Sequence, residues 1–178
     1  MTPALILLAA VVALLAWGLA RAYRALARLD RQVRLAWGQV EWAYAGRRDL
    51  ARELTLASQP QGTGPAAGAL KAVADALVLS AQANDPLARR QGEAELGAAL
   101  KALFQIPASG AAWTNGPEAG VWRERFAAAT HRIRMAQRFY NDQALVYNAK
   151  LSTMPLALAA RAGGLRPADL TDGDDHGA

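Results

Sequence analysis

Apolar residues along this chain recur mostly at steps of three and four, the period of an amphipathic helix. The exception is the start. Residues 3–20, PALILLAAVVALLAWGLA, are uncharged and apolar on every side. At 1.5 Å per residue they span about 27 Å as a helix, close to the thickness of a bilayer's hydrocarbon core. From there the pattern becomes one-sided. Leu26, Leu29, Val33, Ala36, Val40 and Ala43 form a seam of the coiled-coil type, which resumes after Arg47 as Leu50, Leu54 and Ala57. Trp37 and Tyr44 widen it. The spacing predicts one helix that leaves the apolar segment without a break and ends in the breakers of residues 58–65, SQPQGTGP.

A second helix is predicted over 66–83, with Leu70, Val73 and Leu77 on its seam. Asp85 followed by Pro86 reads as an N-cap and a first helical residue, which opens a third helix to about Gln105. Leu96, Leu100 and Leu103 carry its apolar row, and Gly92 and Gly97 sit within it. The stretch 107–120 is irregular and contains Trp113, a candidate contact for a partner. A fourth helix is predicted over 120–153, with Trp122, Phe126, Ile133, Tyr140 and Tyr147 facing inward. A short amphipathic turn over 156–162 follows. The expected organisation is a short N-terminus at 1–2, a transmembrane anchor at 3–20, a helical bundle at 21–171 and a disordered acidic tail at 172–178. The fold class expected is all-α: a transmembrane helix continuing into an antiparallel bundle of about four long helices.

Composition agrees. Alanine is abundant and β-branched residues are sparse, which favours helix. The chain has no cysteine, so disulfides, thiolate metal sites and cysteine nucleophiles are excluded. Net charge is +5 and falls unevenly. Arg21, Arg24, Arg28, Arg31 and Arg34 all follow the apolar segment, and no Lys or Arg precedes it. That lack of a basic leader favours an uncleaved anchor over a signal peptide. The positive-inside rule then places the bundle in the cytoplasm. The same arginines are candidate contacts for anionic lipid headgroups. Nucleic acid is a weaker candidate partner, because no groove-reading motif accompanies the charge.

The chemistry of known catalytic sites is missing from the pattern. Two scattered histidines, His131 and His176, cannot build a zinc or di-iron site. Glu93 and Glu95 are two apart on a helix and point away from each other. No enzyme activity, metal or cofactor is expected. Small residues Ala9, Ala13, Ala16 and Ala20 would permit pairing of anchors, so a homo-oligomer stays open.

The most informative stretch is 132–155, RIRMAQRFYNDQALVYNAKLSTMP. Tyr140-Asn141 recurs one heptad later as Tyr147-Asn148, which puts two tyrosines on one stripe and two asparagines on the next. Buried amides and guanidiniums need partners. A polar network joining Arg47, Asp49, Arg138, Tyr140, Asn141 and Asn148 between helices is therefore expected, serving mainly to fix helix register.

Two blocks of the chain resemble the LemA family. Ala36-Trp37, Val40 and Arg47-Arg48-Asp49-Leu50 make the first. Arg132-Ile133, Ala136, Arg138-Phe139-Tyr140-Asn141, Tyr147-Asn148 and Met154-Pro155 make the second. Ala51-Arg52-Glu53-Leu54 stands where the family usually has Ile-Pro-Asn-Leu. The resemblance implies a predominantly helical, single-pass membrane protein and implies no catalytic residues. Together these readings lead to an expected scaffold or adaptor that docks another protein at the membrane, with a lipid- or ligand-sensing bundle as the alternative.

Overall fold

The computed structural model describes residues 3–58, 65–83, 85–106, 117–153 and 156–171. Among these residues the chain is helical without strands, in the order α1 (Pro3–Ala57), α2 (Pro65–Gln82), α3 (Pro86–Gln105), α4 (Pro117–Leu151) and α5 (Leu156–Ala162). The expected all-α fold class is observed. Helices α2 and α4 begin at Pro65 and Pro117, slightly before the predicted starts. Proline is pre-set for the first helical turn, where its missing N–H would be unpaired anyway. Asp85 caps α3 as predicted: its carboxylate accepts from the N–H groups of Leu87 at 2.9 Å and Ala88 at 2.8 Å. The acidic tail at 172–178 lies outside the described residues.

Helix α1 runs unbroken out of the apolar segment. Its first part is long and apolar enough to cross a membrane, and none of that stretch is buried against the rest of the chain. The chain divides into two compact units. One comprises Met1–Val40 and Arg134–Ala178, and the other Glu41–Ile133.

The 41–133 unit is built around the α2–α3 hairpin. Leu54, Val73, Leu96, Leu100 and Leu103 are fully buried there. Each such side chain contributes roughly 1.5–3 kcal/mol relative to exposure. Phe104 and Phe126 close the cluster with ring centroids 5.4 Å apart. Gly92 makes the hairpin tight: a Cβ there would lie 2.8 Å from the Ser80 Cα. That neighbour is backbone and cannot swing aside. Gly92→Ala is expected to lower the melting temperature, because overpacking costs about 1–3 kcal/mol while the gain in helix propensity is about 1 kcal/mol. A thermal scan followed by helical circular dichroism checks this, and a raised midpoint would show that α2 and α3 separate freely.

The same unit holds a buried charge cluster. The Arg47 guanidinium donates to the Glu93 carboxylate at 2.9 Å and to the Glu93 carbonyl, and Arg48 donates to the other carboxylate oxygen at 2.5 Å. Arg47 also lies over the Tyr44 ring at 5.7 Å. Gly97 leaves the room it needs, since a Cβ there would stand 2.7 Å from an Arg47 nitrogen.

In the other unit, Ala22 and Leu26 of α1 pack with Ala159 and Ala160 of α5, and Leu151, Leu156 and Leu165 cover them. Along α4 the buried positions Gln137, Tyr140, Ala144 and Tyr147 step by three and four. The Trp37 ring of α1 meets Tyr140 edge-on, with centroids 5.2 Å apart and planes at 65°.

Candidate functional site: a tyrosine–asparagine ladder

The repeated Tyr-Asn pairs of α4 hold an extended segment that follows α5. Tyr140 and Tyr147 are buried, at 7% and 2% exposure, yet their hydroxyls reach past the apolar seam. The Tyr147 hydroxyl donates to the Arg166 carbonyl at 3.1 Å and the Tyr140 hydroxyl to the Asp169 carbonyl at 2.7 Å. Each asparagine grips one residue by both of its main-chain groups. Asn148 donates to the Ala168 carbonyl at 2.8 Å and accepts from the Ala168 N–H at 2.9 Å. Asn141 does the same with Thr171, at 2.8 and 2.9 Å, and its amide oxygen also accepts from the Thr171 hydroxyl at 2.8 Å.

The register has a simple geometric cause. One heptad of helix rises about 10.5 Å. Three residues of extended chain cover about 10 Å. The tyrosines therefore meet residues 166 and 169, and the asparagines meet 168 and 171. A Tyr-Asn pair repeated every seven helical residues matches an extended chain read every third residue. The segment runs antiparallel to α4. Pro167 fits because no contact uses an N–H at its position. Thr171 is buried, while the side chains of Arg166, Pro167, Asp169 and Leu170 are exposed.

Burial pushes the Tyr147 hydroxyl above its ordinary value of 10.0, Asp30 adds to the rise, and Arg34 opposes it. The folded chain thus keeps a proton that the unfolded chain releases. The associated stability is complete below about pH 10 and is lost as pH rises through the raised value. Tyr147→Phe is expected to flatten this alkaline loss and to cost about 1 kcal/mol at neutral pH through the missing bond to Arg166. Melting curves at neutral and alkaline pH check both. Equal alkaline sensitivity in the two proteins would assign the effect to another group.

The single network expected from the sequence divides. Arg47 belongs to the 41–133 unit and is paired there with Glu93. Tyr140, Asn141 and Asn148 belong to the other unit and hydrogen-bond to the main chain of the 166–171 segment. Asp49 and Arg138 join neither group. Asp49 is exposed and pairs with Arg52 at 2.7 Å, and Arg138 is exposed. Each is two positions from a buried residue, so at 100° per residue it faces nearly the other way. Glu93 and the main chain of 166–171 are the partners that sequence reasoning missed.

The membrane-proximal arginines Arg21, Arg24, Arg28, Arg31 and Arg34 are all exposed. Arg21 lies over the Trp17 ring at 6.0 Å, Arg24 donates to the Ala20 carbonyl at 3.3 Å, and Arg34 pairs with Asp30. Trp113 lies outside the described residues. Among the described residues no cluster of acids and histidines is grouped as a metal site would require.

A family model described as the LemA family matches residues 36–176. The chain belongs to the LemA family. The match takes in both Tyr-Asn pairs and the extended segment they hold, so the ladder lies wholly within the LemA region. A comparison with curated proteins found no match.

Proposed function

We propose that this LemA-family chain is a single-pass, membrane-tethered adaptor that docks a protein partner at the cytoplasmic face. It performs no catalysis and carries no cofactor. The observation that carries this reading is an exposed apolar stripe on α4. Met135, Phe139 and Val146 are 51%, 45% and 50% exposed. Their spacing puts them on one face of the helix, with Asp142 between them. Large apolar side chains aligned in this way suit a partner helix or groove. The tether is the apolar start of α1, and the arginines that follow it favour the cytoplasmic side.

Crosslinking and capture of the full-length protein from native membranes, followed by a high-salt wash, tests the reading. A near-stoichiometric protein that survives salt and is lost in Phe139→Glu is the expected result. Phe139 is exposed, so that change should alter the unfolding free energy by only about 0.5 kcal/mol. Recovery of lipid alone, released as salt rises, would replace the adaptor with a lipid sensor built on the Arg21–Arg34 stripe. Charge attraction of that kind is screened within about 3 Å at 1 M salt.

A further inference from the structure

We propose that α5 and the turn after it form a platform that rests on the leaflet the chain leaves and takes anionic lipid headgroups. This rests on the membrane-tethered part of the adaptor reading and adds a second surface to it. Height along α1 carries the argument. The uncharged stretch of α1 ends at residue 20. Ala22 and Leu26, on which Ala159 and Ala160 of α5 pack, stand about 3 and 9 Å further along the helix axis. The headgroup layer on each side of a bilayer's hydrocarbon core is about 5–8 Å thick. A helix packed at that height lies among the headgroups. The course of α4 agrees. Its Tyr140 meets Trp37 of α1, while its Leu151 covers the Ala22–Leu26 cluster. The chain therefore returns toward the membrane along α4, and α5 forms the foot of the unit.

The outward face of α5 suits this surface. Ala159 and Ala160 are buried, whereas Leu158 is 52% exposed and Arg161 is exposed. Three residues apart on a helix, Leu158 and Arg161 are neighbours on one face. An apolar side chain at the acyl boundary beside a cation that meets phosphate is the composition of an interfacial helix. Arg21, Arg24 and Arg28 of α1 and Arg166 after α5 are exposed as well. Residues 3–29 and 143–168 contain no Asp or Glu, so no carboxylate in these segments offsets the charge. Tyr23, partly exposed at the same level, is the kind of aromatic residue that settles at a membrane interface.

The platform is fixed to the unit. Leu165 packs on the α1–α5 cluster, and its N–H donates to the Ala160 carbonyl at 3.0 Å. A Cβ at Gly163 would overlap the Tyr23 ring, so the turn lies flush on α1. The apolar span supplies the anchoring, and α5 has only to set the stance. Seating α5 on the leaflet limits the tilt of α1 and gives the Met135–Phe139–Val146 stripe a constant bearing to the membrane.

The test places the full-length chain in nanodiscs of phosphatidylcholine, or of phosphatidylcholine and phosphatidylglycerol in equal parts, with quencher-bearing lipids of stepped depth. The cysteine-free sequence lets a dye be attached at one position at a time, at Ala162→Cys, Val12→Cys or Leu145→Cys. Ala162 is exposed on α5 and leaves Leu158 in place. Leu145 is exposed on α4 between the Tyr140 and Leu151 levels, about 15–20 Å beyond residue 20. The Val12 dye is expected to be quenched by deep quenchers in both bilayers, and the Leu145 dye by none. The Ala162 dye is expected to be quenched by the shallowest quencher, and more strongly with phosphatidylglycerol. Arg161→Gln with Arg166→Gln should lower its docked-to-free ratio roughly tenfold or more, since each arginine near an anionic surface is worth about fivefold. Leu158→Gln should lower it in both bilayers. All three side chains are exposed, so the melting midpoint in detergent should stay unchanged. A quenched Val12 dye with an Ala162 dye as unquenched as that at Leu145 overturns the platform and leaves the tether standing. An unquenched Val12 dye overturns the tether and the platform together. Equal quenching of the Ala162 dye in the two bilayers, or no response to the arginine changes, overturns the assignment to anionic headgroups.

Discussion

Replacing Glu93 with leucine is expected to cost about 3–5 kcal/mol, the loss seen when one member of a buried ion pair is removed. The Arg47 and Glu93 side chains are only 5% and 1% exposed. Without the carboxylate, Arg47 keeps a full charge beside the Glu93 backbone carbonyl, Tyr44 and Gly97, with little water to replace what was lost. Arg48 loses the same carboxylate but is 22% exposed, so it can turn toward solvent at small cost. The penalty therefore belongs mainly to Arg47. The double variant Arg47→Met with Glu93→Leu should recover most of it, since a packed apolar pair of similar volume is often as stable as the buried ion pair. Denaturant unfolding of the three proteins gives the cycle. A single-variant loss below about 1 kcal/mol would mean that Arg47 escapes to water and that the cluster is not closed.

This cluster was half legible in the sequence. Arg47 stands out because it interrupts the row Val40, Ala43, Leu50, Leu54. Glu93 does not stand out to a scan that reads every glutamate as surface. Yet stepping back by three from Leu96 on the row Leu96, Leu100, Leu103 lands on Glu93, and a buried arginine demands such a partner. Gly97 carried a second hint, since a glycine within a helix costs about 1 kcal/mol against alanine and here leaves room for the guanidinium. The helix ends were legible from their prolines and from Asp85, because capping is local chemistry.

The ladder was legible on one side only. The heptad spacing of Tyr140-Asn141 and Tyr147-Asn148 announces two rows of polar tips that need partners. It does not say whether they meet another helix or an extended chain. The partner, residues 166–171, has no periodic signal of its own, because it makes its contacts through main-chain groups that look alike in every sequence. Only the near equality of a helical heptad and three extended residues connects the two, and that equality becomes visible once the segment is seen against α4.

It follows that the asparagines should act on the segment and not on helix register. Asn148→Leu removes two hydrogen bonds to Ala168, worth together about 2 kcal/mol, or roughly a 30-fold rise in local opening. Adding Asn141→Leu removes three more, all to Thr171, and should carry the total to about 3–5 kcal/mol unless the segment's own opening free energy is exhausted first. The readout is amide hydrogen exchange at Ala168 and Thr171. Global melting should move little, because leucine is the better helix former and the freed main chain is taken up by water. The two readings of these residues diverge on this point. If the asparagines fixed helix register, the double variant would lose cooperative melting while the 166–171 amides followed the global transition. If they hold the segment, those amides exchange fast in a bundle that melts as before.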